Sequence, residues 1–319
     1  MNLRIKYTLG LLVLSLTLPA LGQETAGSIY NKGLDAYNSG DYTAAVAYFS
    51  QASENNDRDA QYNLGVCYYE GLGVQQDHGI AASWFRKAAE WGSAAAYNAL
   101  GNCYADGTGV DQNYGTAVVL YRKAANNGDV QGQYNLGTCY FEGTGIARNA
   151  SEAVHWFKRA AEKGHISAIY NLGICYATGD GVSQNYAEAI KYCQQAANKG
   201  HADAQFFIGD CYCNGNGIAL NIPEGMKWYM KAAEQGQLWA QFKMAVRYLF
   251  GNGVKENMTE GIKWARKSAE QGLPEAQYVL GICYLEGQGV IKDDTEALKW
   301  IVKAAEQGFA HAQEMLEYK

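Results

Sequence analysis

Short apolar runs that end in glycine return at a fixed interval along this chain. One run, "YNLGVCYYEG" at 62–71, comes back as "YNLGICYATG" at 170–179 and as "YVLGICYLEG" at 278–287. Each run is free of proline and closely spaced in apolar residues, which predicts a short helix. The glycine pair at 71 and 73, and its six equivalents, predicts a helix stop because glycine tolerates left-handed geometry. No Gly-Lys-Ser/Thr follows it, so a phosphate loop is disfavoured.

A second helix is predicted after each glycine pair. Residue types that favour helix N-caps recur at one position of the pattern, and five of them have a glutamate three residues later. This spacing is typical of a capping box, in which the two side chains satisfy open backbone N–H groups. The N-cap candidates are Asp77, Asn113, Asn149, Asn185, Asn221, Asn257 and Asp293.

The period of the pattern is 36 residues. Six cysteines stand at multiples of that spacing, and Arg247 fills the one vacant position. Seven consecutive units can be written without a gap at 58–93, 94–129, 130–165, 166–201, 202–237, 238–273 and 274–309. With two predicted helices in every unit, the chain is predicted to be all-α.

The residues of each unit resemble those of the Sel-one-like repeat, a relative of the tetratricopeptide repeat. The resemblance lies in Ala-x-x-x-Leu-Gly-x-x-Tyr-x-x-Gly-x-Gly-Val followed by "KAAEQG", and it covers 58–309. Residues 310–319 resemble a partial C-terminal capping helix, and 23–57 resemble a tetratricopeptide-like N-terminal capping repeat. The resemblance implies a right-handed α-solenoid of antiparallel helix pairs, with a concave face that binds a protein or peptide partner.

Residues 1–22 have the features of a secretory signal peptide. Arg4 and Lys6 precede the apolar run "LGLLVLSLTL", and the small residues Ala20 and Gly22 suit cleavage before Gln23. The run is too short to span a membrane, so we expect export to the periplasm or the medium without membrane insertion. Removal of the leader changes the net charge from −6 to −8, since it carries two basic and no acidic residues. An acidic chain disfavours nucleic acid as a partner.

The repeated cysteine has three interpretations: a metal ligand, half of a disulfide, or a small core residue. One ligand every 36 residues does not suit a metal site, and equivalent helices about 10 Å apart are too distant for a disulfide ladder. We therefore expect core residues, with no metal and no cofactor. Cys193 is additional to the pattern, and a disulfide to Cys211 or Cys213 is a hypothesis for an oxidising compartment.

No common hydrolase signature stands in the chain, so we expect a scaffold and not an enzyme. One alternative comes from a cysteine-rich branch of the resembled family, namely cell-wall-related penicillin binding or weak β-lactamase activity. A second alternative is an exported factor that engages a host.

Partner-binding residues are expected on the first helices, which line the concave face of tetratricopeptide arrays. One row contains Tyr62, Tyr134, Tyr170, Phe206, Phe242 and Tyr278, and a second contains Tyr69, Phe141, Leu249 and Leu285. Aromatic side chains are enriched at binding hot spots. The first row also fits a role in the repeat framework, so both interpretations stay open. An apolar docking patch is expected near Trp239, Phe242, Leu249 and Phe250.

Overall fold

The structure of the protein is a computed structural model that describes residues 25–317, and the predicted signal peptide lies outside the described residues. Residues 25–317 form seventeen α-helices and no strand. The helices are α1 Ala26–Asn38, α2 Tyr42–Ser53, α3 Arg58–Glu70, α4 His78–Glu90, α5 Ala94–Asp106, α6 Tyr114–Asn126, α7 Val130–Glu142, α8 Ala150–Glu162, α9 Ile166–Thr178, α10 Tyr186–Asn198, α11 Ala202–Asn214, α12 Ile222–Glu234, α13 Leu238–Phe250, α14 Met258–Glu270, α15 Pro274–Glu286, α16 Asp294–Glu306 and α17 Ala310–Glu317.

The chain divides into two compact units. The described part of the first comprises residues 25–96 and 108–111, in which α1 to α4 pack each against the next around Phe49 and Leu64. The second comprises residues 97–107 and 112–317, in which the helices from α6 to α17 also pack consecutively. The predicted all-α solenoid of helix pairs is confirmed.

The predicted N-caps are confirmed at the second helix of every repeat. Asn149 is representative: its Oδ1 accepts a hydrogen bond from the backbone N–H of Glu152 at 3.1 Å. The reciprocal half of the capping box is absent at this cap, because the N–H of Asn149 donates to the carbonyl of Tyr140 at 2.8 Å. The glutamate three residues after the cap is free to pair along its own helix, as Glu224 does with Lys227 at 2.8 Å.

The two glycines after each first helix have different tasks. Gly143 ends α7 in the left-handed conformation, with φ of 81°. Gly145 also has a positive φ, and a Cβ atom there would lie 2.5 Å from the carbonyl carbon of Tyr114 on α6. The second glycine therefore lets the turn pack directly on the preceding second helix, which excludes any larger residue.

A glycine on the first helix of a repeat accommodates a large side chain from the second helix. A Cβ atom at Gly137 would lie 2.7 Å from the ring of Phe157, which is fully buried. The same fit recurs at Gly65–Phe85, Gly101–Tyr121, Gly209–Tyr229 and Gly281–Ile301. In repeat 238–273 both partners change, and Ala245 faces the repeat core with Ala265 at the ring position.

A buried glutamine connects successive helix pairs. The Nε2 group of Gln205 donates to the carbonyl of Ala197, and its Oε1 accepts from Gln235 at 2.7 Å. The same arrangement recurs at Gln241 with Gln271 and at Gln277 with Gln307. Gln133 differs because Lys163 stands at the donor position, and its Oε1 has no hydrogen-bond partner.

The cysteines are core residues. All eight are free thiols, and seven of them are buried while Cys139 is half-buried. Burial raises the pKa of the Cys67 thiol to about 11 and that of Cys193 to about 12. The hypothesised disulfide from Cys193 to Cys211 or Cys213 is not formed in the structure. Cys193 instead occupies the ring position of its repeat, over Gly173.

Candidate protein-interaction surface

The first predicted row packs inward. Tyr134 lies against Phe157 with ring centroids 6.1 Å apart, and it stacks on His165 at 4.4 Å. Tyr170 stacks on His201 at 4.6 Å, and burial raises its pKa. Other members also contact rings of the framework: Tyr62 with Phe85, Phe206 with Tyr229, and Tyr278 with Phe309. Phe242 is half-buried against the core of its own part of the stack. These half-buried contacts favour the framework interpretation of this row.

The second predicted row also faces the repeat core, and the expected exposure of Leu249 is wrong. Leu249 is 3% exposed, and its Cγ would lie 2.7 Å from a Cβ atom at Gly261. Because Gly261 on α14 has no side chain, Leu249 packs directly against that helix. Phe141 packs on Phe157 at 6.2 Å, and Tyr69 lies 4.9 Å from His78. Leu285 is half-buried.

The outward side of a first helix lies at other positions of the repeat. On α7 it carries Gln131, Asn135, Thr138 and Glu142. Asn135 donates to Asn98 at 2.9 Å and to Asn102 at 3.2 Å, both on α5. Adjacent first helices are thus linked by polar contacts, and the outward side of α7 is hydrophilic.

Helix α13 breaks this polar pattern. Its outward side carries Trp239, Lys243, Val246 and Phe250, and we call this set the α13 face. Trp239 and Phe250 are eleven residues apart, about three helical turns, so they lie in line. They are 39% and 60% exposed. Two of the four residues expected in the apolar patch are therefore exposed, Phe242 is half-buried and Leu249 is buried.

Half-buried apolar side chains occupy equivalent positions on both neighbouring first helices. Phe207 lies on α11, and Val279 and Ile282 lie on α15. Sequence inspection missed these residues and Val246, since the chosen rows followed aromatic content and not the helical angle of each position. The position of Trp239 and the eleven-residue spacing to Phe250 would have identified the outward side.

Two histidines act as N-caps of first helices, His165 at α9 and His201 at α11. His165 Nδ1 accepts from the backbone N–H of Ala168 at 3.2 Å, and its Nε2 lies 3.1 Å from Gln131 Oε1. This pairing requires the neutral ring with its proton on Nε2. Burial lowers the pKa of both His165 and His201, in agreement with the neutral form.

Residues 25–317 contain no group of three or more His, Cys, Asp or Glu side chains placed to hold a metal ion. Over the same range every helix is too short or too polar to cross a membrane.

Comparison with known proteins decides the family. The sequence profile of the Sel1 repeat matches eight segments, at 21–57, 58–93, 94–129, 130–165, 166–201, 202–237, 240–273 and 274–309. The chain belongs to the Sel1 repeat family. The first match includes the segment expected to be a tetratricopeptide-like cap, so the profile extends to the N-terminal helix pair.

Two solved structures share this fold over most of the chain. A protective antigen present in uropathogenic Escherichia coli strains, with an SLR fold, is 33% identical and superposes with a TM-score of 0.69. That match covers 90% of this chain and 70% of the antigen. A Sel1 repeat protein from Oxalobacter formigenes is 29% identical with a TM-score of 0.72, over 92% of this chain and 86% of the other.

Curated relatives match over short segments. The DAP3-binding cell death enhancer 1 of Rattus norvegicus is 42% identical over 45 residues, and the Arabidopsis thaliana ERAD-associated E3 ubiquitin-protein ligase component HRD3B is 45% identical over 53 residues. These segments cover 14% and 16% of this chain, and 9% and 8% of the relatives. The chain thus matches less than a tenth of the length of either relative.

Proposed function

We propose that this Sel1 repeat protein is an exported protein-interaction scaffold whose α13 face docks an apolar segment of a protein or peptide partner. Repeat folds built from stacked helix pairs use the surface along their first helices for binding, and the α13 face lies on that side of the second unit. No catalytic step is assigned to the chain.

The observation that carries the proposal is the exposure of Trp239 and Phe250. Phe250 leaves 60% of its surface exposed at a position held by glutamate in α3, α7 and α15, so most of its apolar surface does not contribute to folding. Full burial of one exposed side chain of this size is worth roughly 1.5–3 kcal/mol, and a partner that covers the exposed 39% of Trp239 and 60% of Phe250 would gain the corresponding fraction for each ring. Tryptophan is also among the residues most enriched at binding hot spots.

Export is proposed from the leader-like residues 1–22, which the structural description does not include. The Escherichia coli relative is a protective antigen, which supports a location accessible from outside the cell. A partner in the periplasm or the medium would then be a protein or peptide that meets the scaffold after export.

The test compares partner capture by three versions of the full chain. The wild type, Trp239→Ser with Phe250→Ser, and Ile291→Ser are crosslinked in whole-cell and envelope fractions, and captured proteins are identified by mass spectrometry. Ile291 is 91% exposed in a loop, so its replacement controls for the loss of an exposed apolar side chain. The proposal expects the same partner with wild type and Ile291→Ser, and its loss with the double variant. Equal capture by all three would place the docking surface elsewhere.

A further inference from the structure

A cavity opens in repeat 94–129 where one side chain is small. Ala105 stands at the position that Tyr69 holds in α3 and Phe141 holds in α7. In α7 the ring of Phe141 fills the space beside its second helix, whereas at Ala105 about 140 Å³ is left empty. An engineered cavity of about 150 Å³ holds benzene, so the space suits a group of about six heavy atoms.

Three tyrosines form the walls of this cavity. Tyr114 and Tyr121 come from α6, and Tyr134 comes from α7. The hydroxyl of Tyr121 donates to Asn102 at 2.9 Å, and Tyr134 is stacked on His165, so both rings are held in place. The rest of the lining comprises Ala105, Ala117, Asn135, Thr138, Cys139, Glu142 and Thr144.

The charge at the cavity is negative. Glu142 is exposed among the lining residues, and its carboxylate adds to burial in raising the pKa of the Cys139 thiol to about 11. Asp106 contributes in the same direction to the raised pKa of Tyr121, after burial and Cys139. Arg148 bonds the carbonyl of Phe141 at 3.0 Å and is paired with Asp180.

We propose that this cavity receives a lysine side chain of the partner. Its four methylenes would pack on the tyrosine rings, and its ammonium group, which both the ring faces and a carboxylate attract, would lie near Glu142. A lysine has five side-chain heavy atoms, which matches the size of the cavity. The inference rests on the proposed function, because the cavity lies along the same first-helix side as the α13 face in the second unit.

The test uses two small probes and needs no identified partner. The charged probe is Nα-acetyl-lysine methylamide, whose side-chain ammonium is free, and its uncharged analogue is Nα-acetyl-norleucine methylamide. Each is titrated into the isotope-labelled full chain and followed by NMR. For a single side chain we expect a millimolar Kd for the lysine probe, with shifts at Thr138 and Tyr134. The norleucine probe should bind at least fivefold more weakly.

Three variants separate the contributions. Ala105→Phe fills the cavity as Phe141 fills its own repeat, and it should abolish the shifts. Glu142→Gln keeps the volume and should weaken lysine binding about two- to fivefold. Glu286→Gln is the matched control, since Glu286 is exposed at the same repeat position of α15, and it should leave binding unchanged.

Equal binding of both probes, no shifts at the cavity, or equal effects of Glu142→Gln and Glu286→Gln would overturn the inference. Any of these outcomes leaves the capture experiment with Trp239 and Phe250 unaffected, so failure of the lysine site and failure of the scaffold function are distinguishable. Should Ala105→Phe not fold, the glutamate pair and the norleucine probe still decide the question.

Discussion

Replacing Gly137 with alanine should destabilise the second unit, and the sign of the effect should reverse when Phe157 is also alanine. The added Cβ would lie 2.7 Å from a ring carbon that is fully buried. Carbon atoms prefer separations of about 3.5–4.0 Å, so the ring or the helix must move by about 1 Å. Overpacking of this kind costs about 1–3 kcal/mol, while alanine in place of helical glycine returns about 1 kcal/mol.

The net expectation is about 1 kcal/mol of destabilisation in the wild-type background. Phe157→Ala alone should cost about 3–5 kcal/mol. In that background the clash is gone, so Gly137→Ala should stabilise by about 1 kcal/mol, which gives a coupling of about 2 kcal/mol. Repeat 238–273 already has this combination naturally, with Ala245 and Ala265 both fully buried.

The assay is urea unfolding followed by circular dichroism, with native-state hydrogen exchange on α7 and α8. Exchange is needed because repeat arrays can unfold in parts, and then one unfolding free energy does not describe the chain. Gly115→Ala is the control, since a Cβ there would meet only the Asn113 side chain at 3.4 Å, and its effect should be the same in both backgrounds. If Gly137→Ala has the same sign and size with and without Phe157, the packing argument is refuted.

Three further outcomes are expected. Because burial lowers the folded pKa of His165, its stabilising contribution is complete above the unfolded value of about 6.5 and is lost as pH falls through the folded pKa. His165→Asn caps without titrating, so it should reduce the fall in urea midpoint between pH 7.5 and 5, and the rest of the fall includes His201. Lys163→Gln should raise the free energy of unfolding by about 1 kcal/mol in thermal and urea unfolding, because the new amide can donate to Gln133 Oε1. Lys199→Gln should be neutral, since no such glutamine lies opposite Lys199, and equal effects of the two changes would contradict the glutamine link. Iodoacetamide at pH 8 should label half-buried Cys139 first in the native protein, and it should label all eight cysteines after unfolding without reductant. Two cysteines that stay unlabelled in the unfolded protein, as seen by mass spectrometry, would show a disulfide.

The repeat, its helices and their caps could be predicted from sequence because each depends on local chemistry. Asn149 and its equivalents stand where an oxygen must satisfy the open N–H groups of a helix, and that requirement is visible in one sequence. The position of Gly143 is equally local. The predicted hydrogen bond from the N–H of Asn149 to Glu152 is wrong, because that N–H donates to the carbonyl of Tyr140 across the turn.

The surface could be predicted only in part, since exposure depends on which side of a first helix meets its partner. Leu249 was predicted to be exposed, but it is buried because Gly261 on the next helix leaves space for its side chain. Trp239 and Phe250 were found because large apolar residues are rare at their positions in the other repeats. The cavity at Ala105 was missed, although its signal was present as an alanine where α3 and α7 hold Tyr69 and Phe141.

Site-specific photocrosslinking tests the central claim most directly. A benzophenone amino acid is placed at Lys243 within the α13 face, or at Val119, which is 52% exposed on the second helix α6. Each full-length variant is illuminated in the native envelope fraction, and adducts are identified by mass spectrometry. A scaffold that binds through its first helices gives a discrete partner adduct from position 243 and none from position 119. Adducts from position 119 alone, or the same adducts from both positions, would contradict it.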